Sequence, residues 1–316
     1  MKKKRTYRIR NWAEYNKSLV QRGSITVWLS DDVRDKWLAG KTGARGRPRV
    51  YSNDAILCAL MVKAVYHQPL RALVGFLSSL LFLLGVCLPV PSYTQICRRA
   101  SELGQEVKRL SGGRRITDIV IDSSGLKVFG EGEWKVRQHG KTKRRTWRKI
   151  HLAVCADSQE IAVSLLTENS ESDGEAFIEM AEKLPTTVER GYGDGAYDKT
   201  GCYQKFLERG ITPIVPPQRG AVLHETTKEP WMAARNDAIR AIAGLGNDDE
   251  ARAIWKKLMC YHTRSLAETA MYRYKTLFGS NLMARRLNRQ KGETFARSLA
   301  MNRMTQLGMP RGEWVS

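Results

Sequence analysis

The chain has 316 residues, with 53 Lys and Arg against 32 Asp and Glu, a formal net charge of +21. A hydrophobic fraction of 42% lets most of the chain fold, and the length suits one large core with a smaller module. The cationic surplus attracts polyanions, nucleic acid ahead of an anionic membrane, while six cysteines without a C-x-x-C pair argue against a structural zinc site and fit reduced thiols of a cytoplasmic protein.

Residues 1–50 read as a basic N-terminal arm. Fourteen Lys/Arg and four Asp/Glu fall within residues 1–53. Lys2-Lys3-Lys4-Arg5 is followed by no apolar h-region, which speaks against a secretory signal. Trp12, Trp28 and Trp37 make the stretch more than a solvated tail. Arg45-Gly46-Arg47-Pro48-Arg49 resembles an AT-hook core laid in the minor groove, or else a flexible basic linker. Arg47 and Arg49 are its candidate DNA contacts.

Residues 51–112 are expected to be a helical DNA-binding domain. Asn53 can cap a helix from Asp54 to about Tyr66. Ala72–Val90 runs without a charge for the length of a membrane span. Ser78, Ser79, Gly85 and Pro89 within it favour a buried helix ending near Gly85 instead. A third helix follows Pro91-Ser92, from Tyr93 through Arg98 and Arg99 toward Leu103. Three helices with a basic third suggest a helix-turn-helix-like unit.

Residues 113–280 change character. Strands are expected at Ile116–Asp122, Ile150–Ala156, Ile161–Leu166, Thr187–Tyr192 and Ile211–Val215, with helices at Asp173–Leu184 and Thr200–Arg209. That order makes an α/β, RNase H-like catalytic core with a mixed five-stranded sheet. Residues 218–255 form a polar, partly helical insert, and residues 281–316 a basic C-terminal segment.

On a helix from about Ala251 to Phe278, Tyr261, Arg264, Glu268 and Lys275 would share one stripe. On pattern alone, an exposed face with an Arg264–Glu268 ion pair is the favoured explanation of that stripe. Two strand-end carboxylates shift the balance: Asp122, before Ser123-Ser124-Gly125, and Asp194, inside Gly193-Asp194-Gly195-Ala196-Tyr197-Asp198. On neighbouring strands they would meet. Two charges about 4 Å apart repel by roughly 4 kcal/mol at an effective dielectric near 20, so one is protonated or a cation lies between them. Oxygen-only donors suit Mg²⁺ or Mn²⁺.

Tyr261-(2)-Arg264-(3)-Glu268-(6)-Lys275, together with Ile121–Val128, Gly130–Lys135, Gly46–Tyr51, Pro91–Tyr93 and the Gly193–Asp198 run, resembles the signature of DDE-type insertion-sequence transposases, nearest the insertion sequence five family. Ser124 stands where Thr is more usual. The resemblance implies catalytic, metal-binding carboxylates at Asp122, Asp194 and Glu268, with two Mg²⁺ or Mn²⁺ ions. It also implies contacts to the DNA end from Tyr261, Arg264 and Lys275. The implied partner is double-stranded DNA, the element's terminal repeats and the target, held by a homodimer in the synaptic complex. The alternative is a DNA-binding regulator or degenerate copy that does not cut.

Trp134 to Lys149 holds eight Lys/Arg and no acid. It either tracks the phosphate backbone, with Arg144, Arg145 and Arg148 as contacts, or is a solvated hairpin. Two motif-like segments fail. Gly40-Lys41-Thr42 lacks the first P-loop glycine, Asp35 standing there, and the acidic Asp194 spoils a dinucleotide fingerprint at Gly191–Ala196.

Overall fold

The computed structural model describes residues 6–40, 46, 48–103, 110, 115–128 and 147–315. In chain order these form β1 (Thr6–Ile9), α1 (Trp12–Arg22), α2 (Ile25–Trp28), α3 (Asp31–Asp35), α4 (Asn53–Val65), α5 (Leu70–Leu83) and α6 (Tyr93–Leu103). Next come β2 (Asp118–Val128), β3 (Trp147–Cys155), β4 (Ile161–Glu168), α7 (Asp173–Ala181), β5 (Arg190–Tyr192), α8 (Thr200–Glu208) and β6 (Thr212–Ile214). The remainder is α9 (Ala233–Gly244), α10 (Asp249–Leu258), α11 (Ser265–Phe278), β7 (Asn281–Leu282), α12 (Leu287–Leu307) and β8 (Gly312–Val315).

The main sheet is mixed α/β, as expected. Its order is β4-β3-β2-β5-β6, with β4, β3 and β2 antiparallel and β5 and β6 parallel to β2. A sixth strand went unforeseen: β7 pairs parallel with the far end of β2. Asp122 does not end the first strand. The strand continues through Ser123-Ser124-Gly125 to Val128, because Ser123–Lys127 keep pairing with β3.

Alternation along β2 divides the interior in two. Val120 and Leu126 face a core shared with α4, α6, α11 and α12, whereas Ile119 and Ile121 face one built on α7 and α8. α12 crosses α6 so closely that a Cβ on Gly292 would lie 2.0 Å from the Ala100 carbonyl oxygen. Further along α12, Asn302 bonds both the N–H (2.7 Å) and the carbonyl (2.8 Å) of Ile161, closing part of the β4 edge.

The described part of the first fifty residues folds back onto the body. β1 pairs with β8, joining the two ends of the described chain. Trp28 and Trp37 are buried, and the Trp37 indole donates to the Pro89 carbonyl at 2.8 Å. The cap of α4 is Ser52, whose hydroxyl accepts from the Ala55 N–H, and not Asn53. Asn53 accepts instead from the buried Arg99, so of the two arginines on α6 only Arg98 is exposed. The charge-free segment is buried along one face only, at Leu73, Leu77 and Leu81, while Phe82 and Leu83 are exposed. Its helix ends before Gly85, which takes φ +67°, the left-handed region glycine enters freely. Among the described residues no helix is long and apolar enough to cross a membrane.

Candidate active site

β3 lines one side of β2 along most of its length. On the other side β5 pairs only with Asp118–Val120, and β7 only with Lys127–Val128. A 3-10 turn, Tyr261–Arg264, packs against β2 and β5, and α11 continues from it along β2 and β3.

Asp122 and Asp194 flank this turn for a simple reason of register. Val120 pairs with Tyr192, and each carboxylate comes two residues later. Asp122 Oδ1 accepts from the Ser123 N–H at 2.9 Å. Asp194 caps the 3-10 turn Gly195–Tyr197, its Oδ1 accepting from the Ala196 N–H at 2.9 Å. The chain curls tightly there, since a Cβ on Gly193 would stand 2.8 Å from the Tyr197 ring.

The expected unbroken helix over Ala251–Phe278 is interrupted. α10 stops at Leu258, Cys260 adopts a left-handed φ of 52°, and α11 restarts at Ser265. Tyr261 and Arg264 therefore lie on the turn, and only Glu268 and Lys275 share the helix. The break aims Arg264 at the sheet. Its Nη2 is 3.5 Å from Asp122 and 3.4 Å from Asp194, and its Nη1 is 2.5 Å from Glu268. The i,i+4 pair exists, but it is one arm of a guanidinium joining three carboxylates.

Among the described residues no three His, Cys, Asp or Glu side chains are close enough together to hold one ion directly. These three carboxylates meet through Arg264 rather than each other. Burial raises the pKa of Asp122; the Ser123 N–H and Arg264 oppose this, and Asp194 and Glu268 add to it. For Arg264, burial pulls downward, but Asp122, Tyr261, Asp194 and Glu268 outweigh it and the net shift is upward. The site is thus an oxygen-rich, anionic cluster satisfied by a cation. All its donors suit a hard divalent ion.

Tyr261 borders the cluster, its pKa pushed up to about 12 by burial, with the Lys256 ammonium 5.4 Å from its ring centre. Lys275 is half-buried two helical turns beyond Glu268. Arg49 pairs with Glu102 at 3.0 Å. Arg148 donates to Gln290 at 3.1 Å and lies 3.9 Å from Glu168. Arg47, Arg144 and Arg145 lie outside the described residues. Trp255 is core packing, and Trp231 is half-buried against the α7–α8 core.

Sequence reasoning named Asp198 only as the end of the Gly193–Asp198 run and gave it no role. Its carboxylate, 1% exposed, pairs with Arg235 from the insert at 2.7 Å. Beyond its place in that run, a second acid four residues after Asp194 has nothing near it in sequence to reveal its partner.

Residues 113–303, more than half of the chain, match a family model described as Transposase DDE domain, and residues 20–131 match a second model of the same description. Among solved structures the chain is similar to the Drosophila P element transposase strand transfer complex, at 12% sequence identity and a TM-score of 0.29, over 92% of this chain and 86% of that one. A likeness that loose bears on no individual residue.

Proposed function

The chain belongs to the DDE transposase family, enzymes that cut and rejoin DNA phosphodiester bonds with the help of divalent metal, and from that premise we propose that Asp122, Asp194 and Glu268 are its catalytic, metal-binding carboxylates. The observation that carries this reading is the guanidinium of Arg264 within 3.5 Å of both aspartates and in contact with Glu268. A cation already satisfies all three, so cations of higher charge have donors waiting. The proposed cofactor is a pair of Mg²⁺ or Mn²⁺ ions, which when bound would activate water or a 3′-hydroxyl and stabilise the leaving oxygen.

The side chains supply the rest. Asp122 is fixed on a sheet strand and Asp194 by its own cap, so both hold position without reorganising. Glu268 is exposed on α11 and adjusts by rotamer. With ions held by the three carboxylates, Arg264 would leave its place between them and its charge would be free to meet a phosphate of the DNA end. Tyr261 beside Arg264, and Lys275 two helical turns beyond Glu268, are proposed as further contacts. Burial disfavours the tyrosine's anion still further, so it would meet DNA as a neutral hydroxyl.

The sheet order and strand directions support an RNase H-like core. The three helices α4, α5 and α6 support a helix-turn-helix-like DNA-binding unit, with Arg98 exposed on the third. The Tyr-(2)-Arg-(3)-Glu-(6)-Lys spacing supports a place near the insertion sequence five family. The partners in this reading are the element's terminal repeats and target DNA, held by two copies acting in the cytoplasm.

A labelled DNA end carrying the element's flanking inverted repeat tests the function. With Mg²⁺ the intact protein should nick the end and join it to a target plasmid, and Asp194→Asn should do neither. Salt-sensitive binding by both proteins with no cutting would instead make the chain a regulator.

A further inference from the structure

We propose that Asp198 is a positioning residue that clamps the insert to the Asp194 loop, so that the insert sets the spacing between the two sides of the active site. The proposal rests on the metal-site reading above and adds to it a device outside the carboxylate cluster.

Asp198 closes the 3-10 turn that Asp194 opens. Every approach to its buried carboxylate is used. Oδ1 accepts from Arg235 Nε at 2.7 Å and from the Tyr203 hydroxyl at 3.2 Å. Oδ2 accepts from the Gln218 N–H at 2.9 Å and from Arg235 Nη2 at 3.4 Å. Three elements thus converge on one side chain: α8 through Tyr203, the entry to the insert through Gln218, and α9 through Arg235. Arg235, itself buried, also donates to the Val222 carbonyl at 2.9 Å.

The far end of the insert returns to the same point. Arg252 on α10 donates to the carbonyls of Pro217 at 2.7 Å and Gln218 at 3.1 Å. The peptide unit joining Pro217 to Gln218 therefore gives its N–H to Asp198 and its carbonyl to Arg252. α10 leads through Met259 and Cys260 into the turn that carries Arg264, and then to Glu268. One peptide group consequently links the Asp194 side of the site to the Arg264–Glu268 side. A buried ion pair tolerates no half-measures, because removing one partner leaves the other charge uncompensated. This makes the junction stiff, and stiffness is what a metal site asks of the groups behind its ligands.

Manganese binding to the intact chain, followed by titration calorimetry, tests the idea apart from activity. Asp198→Asn keeps the shape but drops the charge, Arg235→Gln removes the partner, and Arg252→Gln cuts the return link alone at a half-exposed position. Each should weaken Mn²⁺ binding by about tenfold or more, the size seen when outer partners of metal ligands are lost. Met304→Ala, a core substitution remote from the insert, is the stability control and should leave Mn²⁺ affinity unchanged in the folded protein. Wild-type affinity in Asp198→Asn and Arg252→Gln, with affinity lost in Asp194→Asn, overturns the clamp and spares the metal site. Wild-type affinity in Asp194→Asn overturns the metal-site reading itself.

Discussion

Asp122, within β2, and Asp194, just past the end of β5, each lie two residues beyond the paired residues Val120 and Tyr192, and a single Arg264 nitrogen lies 3.5 Å from one and 3.4 Å from the other. The strand register together with the Asp194 cap brings them together, and the guanidinium marks where positive charge is wanted. Replacing either aspartate by Asn, or Glu268 by Gln, should cut DNA-end cleavage by more than about a hundredfold, beyond the range for outer partners of metal ligands. DNA binding measured in EDTA should be retained, because none of the three is a cation.

Arg264 makes a less intuitive prediction. In the metal-free protein it competes for the same oxygens as a divalent ion, and its charge repels that ion. Arg264→Gln should therefore bind Mn²⁺ more tightly than wild type in calorimetry while cleaving DNA more slowly. Weaker binding in the variant would mean that Arg264 helps to build the metal site rather than fill it.

Much of this arrangement was legible in the chain, for reasons tied to particular residues. Ile119-Val120-Ile121-Asp122 announces a buried strand meeting a carboxylate, and glycines on both sides of Asp194 announce a tight turn. The break at Cys260 was not legible, because neither glycine nor proline marks it and the left-handed residue is a cysteine. β7 is two residues long, too short for any periodicity. α12 buries Gln290, Thr294, Arg297, Ser298 and Asn302, so its inward side looks polar. Asp198 and Arg235 are separated by the entry to the insert, and pairing at that distance leaves no local pattern.

Glycine substitutions test the packing of α12 on α6. Gly292→Ala drives a methyl into the Ala100 carbonyl at 2.0 Å, and overpacking of this kind costs about 1–3 kcal/mol. Gly75, inside α5, has no neighbour within 4 Å of the place a Cβ would take, so Gly75→Ala should gain up to about 1 kcal/mol from helix propensity. Urea unfolding of the two variants should move the midpoint in opposite directions.

His151 should shape acid stability. It is 1% exposed, its Nε2 is 2.9 Å from the Thr167 hydroxyl, and burial lowers its pKa from 6.5 to about 4, against the pull of Asp173. The unfolded chain takes up this proton at higher pH than the folded one. Stability from this group is therefore complete above pH 6.5 and is lost as the pH falls toward 4, on the order of 3 kcal/mol in all. His151→Gln, which cannot titrate there, should flatten the stability profile across that window. An unchanged profile would show that other groups govern acid unfolding.

The most direct measurement is a crystal structure with Mn²⁺ and a cleaved DNA end, read by anomalous scattering at the manganese edge. The account predicts manganese bound by Asp122, Asp194 and Glu268, with the Arg264 guanidinium displaced toward a phosphate. Arg264 still bridging the three carboxylates, with manganese elsewhere or absent, would contradict it.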